Sequence, residues 1–184
     1  MKMQTLVSLS SLAVLGFLAS APSYARPASD IDASADAALS RFYAMSPKHR
    51  ELAEHAKGVL VFGRVTKAGV GVAGEFGEGE LRVGGTTENY YKITAASVGL
   101  TLGMGEHSEV ILFMTQDALD KFERSRGWAV GVDAAVAVVK SGAAGDYDTA
   151  TLAKPILGFD FGEKGLLGDL SFQGSKVTKI EATK

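Results

Sequence analysis

The chain has 184 residues with 19 basic and 21 acidic side chains, 22 glycines and no cysteine. A net charge of −2 with no long basic run argues against nucleic-acid binding and against bulk attraction to anionic membranes. The missing cysteines exclude a disulfide framework, a thiolate nucleophile and an acylated lipobox.

Residues 1–25 read as a secretory signal. Lys2 supplies the positive side chain, Leu6–Leu18 the apolar core, and Ser23-Tyr24-Ala25 the small residues before cleavage. The apolar run is too short to span a bilayer and is soon followed by Pro22. Processing after Ala25 leaves residues 26–184, expected to form a single domain large enough for its own core. Ser29–Met45 has the spacing of an amphipathic helix, with Ser29 as cap and Ile31, Ala35, Ala38, Leu39 and Phe42 on one face. Ser46-Pro47 opens a second helix running to Lys57, with Gly58 as its terminator. Both helices are expected to pack on a sheet. The weighed alternative places the first on a membrane, though its polar face carries Asp more than Lys.

The centre of the chain is Gly58–Thr115, which holds twelve of the glycines between Gly58 and Gly105. Short apolar or alternating segments run between them: Val59–Val65, Val70–Phe76, Leu81–Val83, Tyr90–Leu102 and Val110–Met114. This pattern predicts short antiparallel strands joined by tight turns, in a sheet bent by its internal glycines towards a barrel. Gly69-Val-Gly71-Val-Ala-Gly74 spells a dinucleotide fingerprint, but Glu75-Phe-Gly-Glu-Gly-Glu80 follows it where a helix is required. A glycine-bent hairpin is the better reading.

Further on, Gln116–Arg126 predicts a short helix capped by Thr115, burying Ala118, Leu119 and Phe122. Trp128–Val138 alternates as a strand and Ser141–Thr149 reads as a loop. Pro155–Phe161 and Leu166–Phe172 flank a hairpin turn at Gly162–Gly165, and Lys176–Glu181 makes a last strand. The fold expected is α+β: a curved, mostly antiparallel, glycine-rich sheet forming a partial barrel, with two N-terminal helices and one internal helix.

No catalytic constellation assembles from the sequence, so no catalytic residue, metal site or cofactor is expected. His49 and His55 lie about 240° apart on a helix of 3.6 residues per turn and are no chelating pair. Glu51 with His55 offers only two ligands, and a solvated helix face accounts for them better. His107 reads as a turn residue. Glu78 and Glu80 alternate away from Glu75, so the three read as solvated edge charges. No G-x-S-x-G elbow surrounds a serine. Lys57, Arg64 and Lys67 are the lipid-binding candidates. They lie within eleven residues, the last two flanking a turn expected between the first strands, where basic groups could hold phosphate headgroups.

A resemblance gives those residues a context. Ala56-Lys-Gly-Val-Leu-Val-Phe62, Lys67–Gly71, Gly74–Gly79, Tyr90-Tyr91, Ala95–Leu100, Phe113-Met-Thr115, Gly127–Val136 and Gly165–Gly174 resemble, in order, the SYLF domain, also called the Ysc84-type or Las17-binding domain. The resemblance covers nearly everything after residue 30. One departure stands out: Gly63 occupies the place where that family usually has proline. The resemblance implies a non-enzymatic protein that binds anionic phospholipid, with a phosphoinositide-like headgroup. Actin binding is implied by the family name alone. With an export signal, the expected location is the periplasm or the outer-membrane surface. The rival class is a small outer-membrane β-barrel or envelope structural protein. Against it stand the helices, a C-terminus without an aromatic residue, and only 13 aromatics after residue 25.

Overall fold

The structure is a computed structural model that describes residues 26–140, 149–165 and 174–183. Its frame is one very long hairpin. Strand β1 (Gly58–Val83) pairs antiparallel with β2 (Thr86–Phe113) from Gly58↔Phe113 to Val83↔Thr86. The turn is Gly84-Gly85, both at positive φ (59° and 83°), which glycine adopts without steric cost. The expected short strands are therefore two continuous ones, and no turn separates Val65 from Val70.

Two other internal glycines, Gly77 and Gly79, serve close approach. A Cβ on Gly79 would meet the Val61 carbonyl and the Phe62 ring, and one on Gly77 would stand 2.9 Å from the Arg64 carbonyl oxygen. The end of β1 thus curls against its own beginning. A bulge between Phe62 and Val65 lets both side chains face the same way, into the curl.

Around this hairpin stand α1 (Ala28–Met45), α2 (Pro47–His55), α3 (Gln116–Arg124), β3 (Trp128–Ala129), β4 (Ala137–Lys140), α4 (Thr149–Leu152), β5 (Ile156–Gly165) and β6 (Lys176–Ile180). The sheet is six-stranded, in the order β3-β6-β2-β5-β4 with β1 on β2. Because β2 is so long, its first half pairs with β6 and its second half with β5. Among the described strands only β4 runs parallel to its neighbour, β5. The fold is α+β with a curled partial barrel.

Two cores lie on opposite faces of the sheet. Inside the curl, Leu60, Phe62, Val65, Leu81, Tyr91, Ile93, Ile111 and Phe113 pack together, closed over by Leu119 and Phe122 of α3 and by Trp128. On the other face, Val61, Val110, Leu112, Leu157, Phe159 and Phe161 meet Ala35, Ala38, Leu39 and Phe42 of α1. The apolar stripe of α1 is therefore packed on the sheet, with Ile31 and Phe42 wholly buried, and is not a membrane face. Among the described residues no helix is long and apolar enough to cross a membrane.

Several boundaries shift. α1 begins at Ala28 with Pro27 before it, so Ser29 is in the first turn and caps nothing. Ser46 does cap α2, accepting from the Lys48 amide at 3.3 Å, and Thr115 caps α3, accepting from Ala118 at 3.3 Å. The strand expected over Trp128–Val138 is interrupted by a turn at Gly131, whose φ is 83°. Gly162–Gly165 is not a turn but the end of β5, in which Gly162 adopts φ 74° beside a register shift. The loop at 141–148 and the strand at 166–172 fall outside the described residues.

Candidate functional site

An open cleft of about 640 Å³ lies between α1 and the sheet. Helix α1 contributes Ser34 and Arg41, Arg26 stands just before it, β1 gives Gly63 and Arg64, and β2 gives Glu106 and Ser108. The bulge that turns Phe62 and Val65 inward also sends Arg64 outward to the rim, where its side chain is 61% exposed. Arg41 donates to the Ser108 hydroxyl oxygen at 2.9 Å, and that hydroxyl donates onward to the Gly63 carbonyl at 2.9 Å. Arg26 binds Glu78 at 2.8 Å. Arg64 and Glu106 are 3.8 Å apart and both solvent-facing, a loose pair of little energetic weight. Three arginines, with the acidic Asp30 and Glu106, thus line one concave space on a protein of negative net charge.

The three residues named from the sequence do not come together. Arg64 is at the cleft. Lys57 precedes β1 where its amide donates to the Phe113 carbonyl at 2.7 Å. It lies seven residues down the strand from Arg64, on the order of 23 Å at strand rise. Lys67 points into the curl, 6% exposed, with its ammonium 2.9 Å from Glu75. A buried, paired lysine cannot greet a membrane surface. Arg26 and Arg41 were missed. Nothing in their local sequence marks them, because each reaches the cleft through the docking of α1 on distant strands.

The acidic residues also differ from expectation. Alternation does separate Glu75 from Glu78 and Glu80, but none is a solvated edge charge. Glu78 and Glu80 face the α1 side: Glu80 is 0% exposed, bonded by Arg82 at 2.6 Å and Thr87 at 2.7 Å. Arg82 in turn reaches Asp36 of α1 at 2.8 Å. Burial pushes the Glu80 carboxyl above its ordinary range, against the pull of Thr87 and Arg82.

Glu75 faces the curl with Lys67, His107 and Glu109. His107 is a strand residue, not a turn residue, 2% exposed, with Nε2 3.0 Å from a Glu109 oxygen. Burial pushes the imidazole down, but the Glu109 bond and the charges of Glu109, Asp160 and Glu75 outweigh it and hold the pKa above 6.5. Burial raises Glu109 as well, with His107 opposing. The α2 histidines divide: His49 is buried under Phe42, and His55 is exposed on the helix surface.

Residues 94–183 match the family model of Ysc84, the Las17-binding protein actin regulator. Over that span the chain is similar to the Ysc84, or SYLF, family. No curated protein matches the chain. The matched span begins within β2, so it takes in the cleft's Glu106, His107, Ser108 and Gly162 but none of its arginines. Gly63, which stands where the SYLF domain usually has proline, is a point of close approach between the sheet and α1. A Cβ there would meet the Ser34 carbonyl and hydroxyl.

Proposed function

We propose that this protein is a non-enzymatic, SYLF-type phospholipid-binding protein of the bacterial cell envelope, exported by residues 1–25, that seats an anionic headgroup in the cleft beneath α1. The observation carrying this reading is the convergence of Arg26, Arg41 and Arg64 on one open space of about 640 Å³. Guanidinium forks match phosphate oxygens in geometry as well as charge, and keep their charge at any physiological pH. The family match supports the lipid class, since lipid binding accords with the SYLF domain. A phosphoinositide-like headgroup is the finer form of the proposal. Actin and Las17 belong to the family's description, and an exported protein does not meet actin. The hydroxyl of Ser108 is engaged between Arg41 and the Gly63 carbonyl, which suits a structural link better than a nucleophile. The barrel alternative is disfavoured because helices cover the sheet face that would meet lipid.

Flotation with vesicles tests the proposal. Residues 26–184 should rise with anionic phospholipid vesicles, less with neutral ones, and progressively less as salt shortens the screening length. Reversing Arg41 and Arg64 together to Glu should remove most of the binding, since each basic group near an anionic surface contributes about 1 kcal/mol. Lys67→Met should change little. If the wild type ignores anionic vesicles at low salt, lipid binding is wrong. If a folded double variant, checked by circular dichroism, binds as well as wild type, the headgroup lies elsewhere.

A further inference from the structure

Inside the curl, we propose a binding site for a divalent transition-metal ion of the zinc class, with His107, Glu109 and Glu75 as its protein ligands. One ligand atom from each lies within 4.8 Å of the others. All three sit on the two strands of the same hairpin, which fixes their backbones, and all are buried. Ligand atoms at about 2 Å from a tetrahedral ion stand about 3.3 Å apart, so His107 Nε2 and the Glu109 oxygen at 3.0 Å are already near ligand spacing.

Two further facts point to a missing partner. Oε2 of Glu109 is fully enclosed yet has no hydrogen-bond partner among the described residues, and neither has Nδ1 of His107, across the ring from Nε2. Buried polar atoms are paired as a rule, and exceptions mark sites where something else binds. Charge is matched only conditionally: Glu75 and Glu109 face one lysine and one imidazole, so with a neutral imidazole one buried carboxylate lacks a cation. Buried carboxylates need pairing or a metal. One imidazole with two carboxylates suits zinc or manganese, whereas calcium and magnesium take oxygen shells. Lys67 holds Glu75 at 2.9 Å and would be the charge a cation displaces.

The test uses the untagged full chain, stripped with chelator, titrated with zinc and desalted. One zinc per chain should be retained, protons should be released on binding, and the melting temperature should rise with zinc concentration. His107→Ala and Glu109→Gln should each weaken retention by at least about 100-fold, at or beyond the loss seen when only an outer-shell partner is removed. Lys67→Met should tighten it, because a competing charge is gone. His55→Ala removes the exposed Glu51–His55 pair and should change nothing. No retained zinc in the wild type, or unchanged retention in His107→Ala, overturns the site. Should the ligand variants fail to fold, X-ray absorption on the zinc-loaded wild type decides. One imidazole among oxygen ligands is expected, and two or more imidazoles would place the ion elsewhere.

Discussion

Gly63 shows how much a single residue decides here. Its Cα lies against the Ser34 carbonyl of α1, and its own carbonyl accepts from Ser108, which Arg41 supports. Gly63→Ala should destabilise the protein by about 1–3 kcal/mol, because a backbone carbonyl cannot step aside as a side chain does. Gly74 is the contrast: nothing lies within 4 Å of its added Cβ, and its φ is not positive. Gly74→Val should stay within about 0.5 kcal/mol of wild type, as open surface sites do. Equal urea-denaturation losses at both positions would refute the close-approach account. In the sequence these glycines look alike. What separates them is a helix packed from 29 residues away, which no local pattern reveals. Lys67 is the same lesson for the site: its charge was legible, its inward direction was not.

At the scale of elements, helices were easier to read than strands. Caps and 3.6-residue periodicity are local, so α1, α2 and α3 emerge near their true bounds. The strands were cut too short, because glycine marks turns and close approach equally. Only Gly84-Gly85 closes the hairpin, while Gly77 and Gly79 admit backbone contact mid-strand. The joint between α1 and α2 supports a pH prediction. His49 stacks on Phe42 at 4.3 Å, its Nδ1 is 2.8 Å from the Phe42 carbonyl oxygen, and Phe159 meets it edge-on at 5.1 Å. Burial lowers its pKa below 6.5, the carbonyl bond opposing only in part. A depressed folded pKa means the unfolded chain takes the proton more readily. The contribution is therefore complete above pH 6.5 and declines as pH falls through that value towards the folded pKa. His107 and Glu109, with raised pKa values, act in the opposite sense, so the comparison must isolate His49. The stability difference between wild type and His49→Phe should shrink from pH 7.5 to pH 5.5 in denaturant titrations. A constant difference would mean that His49 does not change protonation on unfolding.

At the scale of the whole molecule, the family match and the folded unit have different limits. The match begins at residue 94, inside β2 of a folded unit that starts near residue 26. The two ends of the described fold meet: the Ala28 amide donates to the Thr183 carbonyl at 2.9 Å, beside a bridge between Pro27 and Thr183. Strand β2 is paired by β1 along nearly its whole length, and β1 lies entirely before the matched span. A fragment of residues 94–184 would also lose Ile31, Leu39, Phe42, Leu60, Val61, Phe62, Val65, Leu81, Tyr91 and Ile93 from the two cores. Each large buried side chain is worth about 1.5–3 kcal/mol, and a domain has only about 5–15 kcal/mol of net stability. The fragment should therefore be unfolded or aggregated, with the open edge of β2 exposed to other chains. Residues 26–184 should instead unfold in a single transition, superimposable by tryptophan fluorescence at Trp128 and by far-ultraviolet circular dichroism. A soluble fragment 94–184 that melts cooperatively would show that the family span is a domain by itself, and would make α1 and β1 an addition to it.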